Sequence, residues 1–419
     1  MVDVTFVRPR FDEHDAARIV HTHYGLDATA SGLPSERDLN FLITGSDGQR
    51  FVLKIANTTE DQGVIDLQNQ ALLQLAACAP DLRLPRLVPT MGRMAGAFVP
   101  DASGRPHAVR MLTWVPGRVL ASVKPHTPEL LQSLGTLLGR LDGALATFDH
   151  PAADRSLKWD PKKAAWVRPY VAQIPDPARR ALVERLSTWS DEILERLDPS
   201  LPVSVIYNDA NDHNVLVDGD DPYARRVVSV IDFGDMVRTW TVNELAVAAA
   251  YAMLDKPDPL HAALPIVAGY HAERPLADVE IEALLPLVCR RLCVSVVNSA
   301  YQRTREPGNA YLTISERSAW ALLQQLAEVH PRLARDLFRD ACGHEPCPNS
   351  GAVVRWLQRR QGEIGPLLDP DPATAARRVL DFSMSSLEAG TPQMWSSPQM
   401  FSRHVRGLMR EQGAAVGVG

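Results

Sequence analysis

The chain opens with two hydrophobic periods in turn. Residues 11–26 place apolar side chains at helical spacing, with Gly25 as the stop, and predict an amphipathic helix. Leu39 to Ile43 then alternates apolar and polar positions, apart from Leu42, as a half-buried strand does. Ser46-Asp-Gly-Gln49 reads as a hairpin turn and Arg50 to Ile55 as the return strand. On that strand Phe51, Leu53 and Ile55 share one face, while Val52 and Lys54 lie on the other. Asp61 to Ala77 has helical composition and ends ahead of Pro80. Residues 94–115 predict a second hairpin, with Asp101-Ala-Ser-Gly104 at its turn.

The pattern breaks at Thr113-Trp-Val-Pro-Gly117 and becomes helical from Thr127 onward. Residues 130–148 carry the i, i+3, i+4, i+7 repeat, residues 175–196 form another helix candidate, and helical patterning resumes from about 241 to about 385. Short strands interrupt it between 203 and 233. Val215–Val217 and Val227–Phe233 are apolar and β-branched, and they flank the turn cluster Asp218-Gly-Asp-Asp-Pro222. Antiparallel pairing brings Asn214 and Asp232 to one end of that hairpin, and Asp209 lies on the loop entering it. The expected fold is α+β. A small sheet-plus-helix lobe spans 1–112, a connector 113–118, a mostly helical lobe with the embedded hairpin 119–385, and a tail or linker 386–419.

Composition narrows the function. The 419 residues are 45% hydrophobic and 22% charged, which is ordinary for a globular protein and excludes a mainly disordered chain. The net charge of −6 argues against a broad basic surface for nucleic acid. The longest apolar run, Leu245 to Leu254, is too short for a bilayer, which needs about 20 residues. No basic-then-apolar leader precedes the first helix, and five cysteines form an odd, scattered set; both predict a cytoplasmic, reducing location with no membrane partner. Cys342 and Cys347, with Cys289 and Cys293, could be read as zinc ligands. Cys289 and Cys293 are i, i+4 on an apolar helix, however, and read better as core.

The mouth of the hairpin carries the chemistry. Two carboxylates and an amide oxygen suit a hard divalent cation such as Mg²⁺, which prefers oxygen ligands and keeps room for phosphates. An acid beside such a site can take the proton of an attacking hydroxyl, and phosphoryl transfer needs little else.

Asp209-x-x-x-x-Asn214 with Ile231-Asp-Phe-Gly-Asp235 resembles the catalytic loop and metal-binding segment of aminoglycoside phosphotransferase and choline kinase-like enzymes. Phe51-Val-Leu-Lys-Ile55 resembles their lysine-bearing strand, and Met111-Leu-Thr-Trp-Val-Pro-Gly117 their interlobe hinge. His150-Pro151, Leu157-Lys-Trp-Asp160 and Asn208-Asp-Ala-Asn-Asp-His-Asn214 narrow the likeness to the hydroxylysine kinase branch, over roughly residues 20–385.

The resemblance implies a bilobal protein-kinase-like fold and a Mg²⁺-dependent small-molecule kinase. Asp209 would be the catalytic base, and Asn214 and Asp232 would hold Mg²⁺. Lys54 would meet the phosphates of ATP or GTP, Ser35 would sit in the phosphate-covering loop, and Thr113 and Trp114 in the hinge would face the nucleotide. Asp235 reads as a second metal ligand or as a local cap. Tyr207 stands where a histidine is usual, and its hydroxyl can still hydrogen-bond locally. Gln68 or Asn69 replaces the usual glutamate, and an amide can orient the lysine without neutralising it. Asn214 and Asp232 are 18 residues apart, the extra length falling in the turn Asp218–Arg226, away from the mouth.

The acceptor would be a hydroxyl on an amine-bearing small molecule. Arg290, Arg291 and Arg303 lie along one helix. Arg290 and Arg303 are the residues expected to read a carboxylate, with Asp160, Asp212 and Glu244 as acids for an ammonium, Asp212 being best placed. Two alternatives remain: an antibiotic kinase acting on aminoglycosides, and a non-catalytic nucleotide-binding or docking module. The end of the chain resembles the junction in bacterial proteins where such a kinase precedes a peptidase-like and a class III aminotransferase-like module. Covalently linked C-terminal enzymes, including a pyridoxal-phosphate lyase step, are therefore expected as partners.

Overall fold

A computed structural model describes residues 9–35, 38–305 and 316–346. Helix α1 (Glu13–Tyr24) starts with a capping box between Asp12 and Asp15 and ends at Gly25, whose φ of 69° a side chain would strain. Strands β1 (Ala28–Leu33), β2 (Leu39–Gly45) and β3 (Arg50–Ile55) follow, then α2 (Gln62–Cys78), capped by Asp61. Strands β4 (Leu87–Val88), β5 (Ala97–Pro100) and β6 (Pro106–Thr113) complete an antiparallel sheet of order β1-β2-β3-β6-β4, with β5 also paired to β6. The β5–β6 turn is closed by Asp101, which accepts from the Ser103 and Arg105 backbone N–H groups.

The register of this sheet sorts its residues by role. Phe41, Leu53 and Met111 stand in one row across β2, β3 and β6, and they pack with Ala16, Ile19 and Val20 of α1 into a small core. The adjacent row is Asn40, Lys54 and Arg110. Because successive side chains alternate, this polar row faces away from α1 and toward the rest of the molecule.

The second lobe begins after Trp114-Val-Pro-Gly117. Strand β7 (Arg118–Val119) pairs with the hairpin read from the sequence, and α3 (Pro128–Leu145), 3₁₀ helices at Pro151–Ala153 and Pro161–Gln173, and α4 (Pro177–Leu197) lead to it. The hairpin is β9 (Val215–Asp218) and β10 (Arg226–Val230), with a bulge between Val227 and Ser229. Around its base β8 (Val203–Ile206) pairs with β11 (Val237–Trp240). Strand β11 lies outside the 203–233 strand region read from the sequence. Four residues next to a helical run carry too little periodicity, and only the pairing with β8 defines them.

Helices α5 (Asn243–Ala252), α6 (Pro259–Glu273), α7 (Asp278–Arg305), α8 (Glu316–Leu326) and α9 (Pro331–Ala341) enclose the core. Helices α3 and α6 cross in backbone contact. A Cβ on Gly135 would lie 1.9 Å from the Ile266 carbonyl, and one on Gly269 2.1 Å from that of Gln132. Leu67, Ala71, Leu72 and Leu75 of α2 join this large core, not the one beneath α1. Chain order groups α2 with the sheet; packing groups it with the helical lobe. Cys289 and Cys293 are buried free thiols in the same core. Among the described residues no group of three or more His, Cys, Asp or Glu is placed to hold a metal, and no helix is long and apolar enough to cross a membrane. Cys347 and the expected linker 386–419 lie outside the described residues.

Candidate active site

The floor of the cleft is the mouth of the β9–β10 hairpin. Tyr207 is buried against Phe233, its hydroxyl donating to the Ile231 carbonyl, so it ties the incoming loop to the end of β10 as a local hydrogen bond would. Asn208 adopts φ 65°, a conformation that asparagine tolerates, and its backbone N–H donates to the buried Glu244 carboxyl at 2.7 Å. That turn presents Asp209. Its Oδ2 accepts from Asn214 Nδ2 at 2.6 Å and its Oδ1 from Asn211 Nδ2 at 2.9 Å. Burial, with the Asp235 charge adding, pushes the Asp209 carboxyl up to about 8.

The Ile231 N–H donates to the Asn214 carbonyl at 2.9 Å, which closes the hairpin and sets Asp232 beside Asn214. Asp232 itself sits at φ 62° and accepts from Gly234 N–H and from Lys54 Nζ, the latter at 3.1 Å. The Lys54 charge holds the Asp232 carboxyl below its ordinary value, against the effect of burial. Arg155 steadies the segment from below by donating to the Gly234 and Met236 carbonyls. Lys54, distant in the chain, is thus brought to Asp232, beside Asp209 and Asn214.

The roof is the polar row of the sheet, and here one expectation is corrected. Gln68 and Asn69 do not orient Lys54. Both side-chain carbonyls accept from the guanidinium of Arg110, Asn69 at 3.0 Å. Arg110 is one strand over from Lys54 in register and is buried. Lys54 finds its carboxylate across the cleft in Asp232 instead. The reason is local geometry: α2 packs on the helical lobe and offers its amides to the edge of the row rather than its centre. Two cations, one of them held only by neutral amides, therefore overhang the acidic floor.

Between roof and floor lies a cleft of about 310 Å³, lined by Ser35, Lys54, Arg110, Asp209, Asp232 and Asp235 among others. Ser35 is where the phosphate-covering loop was expected. Thr113 and Trp114 are turned elsewhere: the Thr113 hydroxyl accepts from Arg86 N–H, and the Trp114 ring lies under Arg50. The proposed acceptor residues are corrected more fully. Arg290 pairs with Asp191 and Arg303 with Glu316, both outside the cleft. Asp160 is buried, accepting from Thr239, Asn243 and Lys162 N–H as a structural cap. Asp212 does not line the cleft either, its backbone carbonyl accepting from Ala121 N–H. Of the arginines on α7, the one that lines the cleft is Arg291, with Trp159 and Tyr251 beside it.

Asn40, Arg110 and Arg155 were not singled out as site residues; Glu244, expected as an acid for an ammonium, is instead buried and accepts from the Asn208 N–H. A charged side chain inside an otherwise apolar strand, Ala108-Val-Arg-Met-Leu112, is the one signal that could have found Arg110.

Comparison with known proteins fits this geometry. Residues 29–279 match the phosphotransferase enzyme family APH, and the chain belongs to that family. The hydroxylysine kinase of Mus musculus is 30% identical over 355 residues, covering 79% of this chain and 93% of that protein. That of Bos taurus is 30% identical over 357 residues with the same coverage. A microcompartment-associated aminopropanol kinase shares the fold, with a TM-score of 0.58 and 20% identity over 79% of this chain and 99% of that one. The chain is accordingly an enzyme, a small-molecule phosphotransferase with an alcohol group as acceptor, and not a non-catalytic docking module.

Proposed function

We propose that this enzyme transfers the γ-phosphoryl group of ATP or GTP to the hydroxyl of a hydroxy amino acid or amino alcohol of the hydroxylysine type. The observation that carries this reading is the convergence of Asp209, Asp232 and Lys54 at one cleft, with Asn214 hydrogen-bonded to Asp209, in the order and chemistry that phosphoryl transfer needs. Relatives named hydroxylysine kinase over most of the chain support the acceptor class.

Asp209 is the catalytic base. The acceptor hydroxyl donates to it, the hydroxyl oxygen attacks the γ-phosphorus, the bond to the β–γ bridging oxygen breaks, and the proton passes to Asp209 as nucleoside diphosphate leaves. Asn211 and Asn214 hold the carboxylate in place for this step. Lys54 and Arg110 face the charge on the triphosphate. The donor set fits Mg²⁺: Asp232 offers a carboxylate, and Asn214 spends its amide nitrogen on Asp209, which leaves its carbonyl oxygen for a cation. When bound, Mg²⁺ would supply positive charge against the phosphate oxygens. The resemblance to fused kinase modules supports a later step, elimination of the phosphate by a pyridoxal-phosphate enzyme; reducing, cytoplasmic conditions suit the free cysteines.

Magnesium-dependent nucleotide consumption with hydroxylysine, ethanolamine and kanamycin, each with ATP and with GTP, tests the reading. Turnover with hydroxylysine or ethanolamine and loss in Asp209→Asn supports it. Turnover with kanamycin alone would make the enzyme an antibiotic kinase instead.

A further inference from the structure

Arg291 is an unusual arginine. It sits in the middle of α7, only 2% exposed, yet it lines the active-site cleft. Its neighbour Arg290 is also buried and has a carboxylate in direct contact, Asp191. The hydrogen-bond partners of Arg291 are neutral. One Nη donates to the Trp159 carbonyl at 2.7 Å and the other to the Tyr251 hydroxyl at 3.2 Å, and its Nε is buried without a partner. The guanidinium lies over the Trp159 and Tyr251 rings, 4.8 and 5.6 Å from their centroids. Its ion pair with Asp209 is long, at 3.9 Å, and involves no hydrogen bond. A buried cation is costly unless it is paired. Two aromatic faces fix this one in place, so it costs little further ordering to meet a ligand.

We propose that Arg291, held by Trp159 and Tyr251, is the carboxylate-binding residue of the acceptor site, which makes the preferred substrate an amino acid rather than an amino alcohol. This rests on the kinase reading above and sharpens its acceptor. Guanidinium suits carboxylate better than any other side chain because its donors form a rigid fork. The spacing is also compatible. With ordinary hydrogen bonds at each end, a carboxylate on Arg291 and a hydroxyl on Asp209, 3.9 Å apart themselves, can stand up to about 9 Å from one another. A linear hydroxy amino acid of five or six carbons lies within that reach.

The test compares hydroxylysine with its decarboxylated amino alcohol. The intact enzyme should favour the amino acid in kcat/KM by at least about 100-fold, since a site built to bind a polar group rejects analogues lacking it. Arg291→Met should lower that preference at least tenfold, with Arg291→Lys between the two. Equal preference in the intact enzyme, or an equal loss for both acceptors in both variants, would overturn the inference and make Arg291 a support for Asp209. Calorimetry with L-lysine and with cadaverine, neither of which can be turned over at a hydroxyl, separates this from the kinase reading. Lysine bound by the intact enzyme and lost in Arg291→Met upholds the carboxylate site even where turnover fails. No difference between lysine and cadaverine sinks it even where turnover succeeds.

Discussion

The roof and the floor of the cleft are built by opposite means. The roof is a regular sheet, and its chemistry follows from register alone: Asn40, Lys54 and Arg110 fall in one row because three strands pair antiparallel. The floor has almost no regular structure at its chemical centre. Asn208 and Asp232 both take positive φ, and the loop is held by buried polar bonds from distant parts of the chain, Glu244, Arg155 and the Ile231 carbonyl. A sheet can place a cation; presenting a carboxylate and an amide at one point needs strained turns with outside support.

The sharpest break in this comparison is at the floor. Asp209→Asn should lower kcat by on the order of 10²–10⁴ while nucleotide affinity, read by titration, hardly changes. An equal fall in affinity would assign Asp209 to the nucleotide site instead. On the roof, Arg110→Gln should raise the KM for nucleoside triphosphate about tenfold, roughly 1.4 kcal/mol, with kcat changed less. An unaltered KM would leave Lys54 as the sole roof cation.

The supports come next. Glu244→Ala strips the buried Asn208 N–H of its acceptor and should cost about 1–3 kcal/mol of stability together with activity, whereas Glu244→Gln keeps an acceptor oxygen and should restore most of both. If urea unfolding and kcat respond alike to the two variants, the Asn208 turn does not depend on this bond. Gly135→Ala, at the α3–α6 crossing, should lower stability by about 1–3 kcal/mol through overpacking while both KM values stay put.

The smallest effect lies within the helical lobe. Burial, with Lys256 and Lys124 nearby, pushes His126 down to about 4, and its Nδ1 accepts from Lys256. Between about 4 and the ordinary histidine value near 6.5 the unfolded chain binds the proton that the folded one refuses. Stability therefore falls as pH drops through that window. His126→Gln should flatten this slope in thermal melts, and an unchanged slope would place the sensitivity elsewhere.

Much of the fold was legible because its signals are local. The alternation in Leu39–Ile43 and Arg50–Ile55 marks strands, and the Asp218-Gly-Asp-Asp-Pro222 turn fixes the hairpin that carries Asn214 and Asp232 to one mouth. The family resemblance read from the same motifs agrees with the matched relatives. Strand β11 was not legible, because it exists only through pairing with β8. Nor was the loyalty of α2, whose apolar face fits either lobe until both are folded.

The acceptor residues show the divide best. In Cys289-Arg-Arg-Leu292 the sequence supplied two adjacent arginines on one helix and no means to choose between them. Neighbours on a helix point about 100° apart, so one turns to Asp191 and the other to the cleft. The same holds for Gln68 and Asn69, whose amides were expected at Lys54 and lie on Arg110. By itself the sequence determined which chemistry the chain carries, since Asp209, Asn214, Asp232 and Lys54 sit on short motifs whose geometry is set by nearby residues. Only the tertiary structure decided which cations face that chemistry, because a side chain's partner depends on how distant helices and strands rotate when their apolar faces are buried.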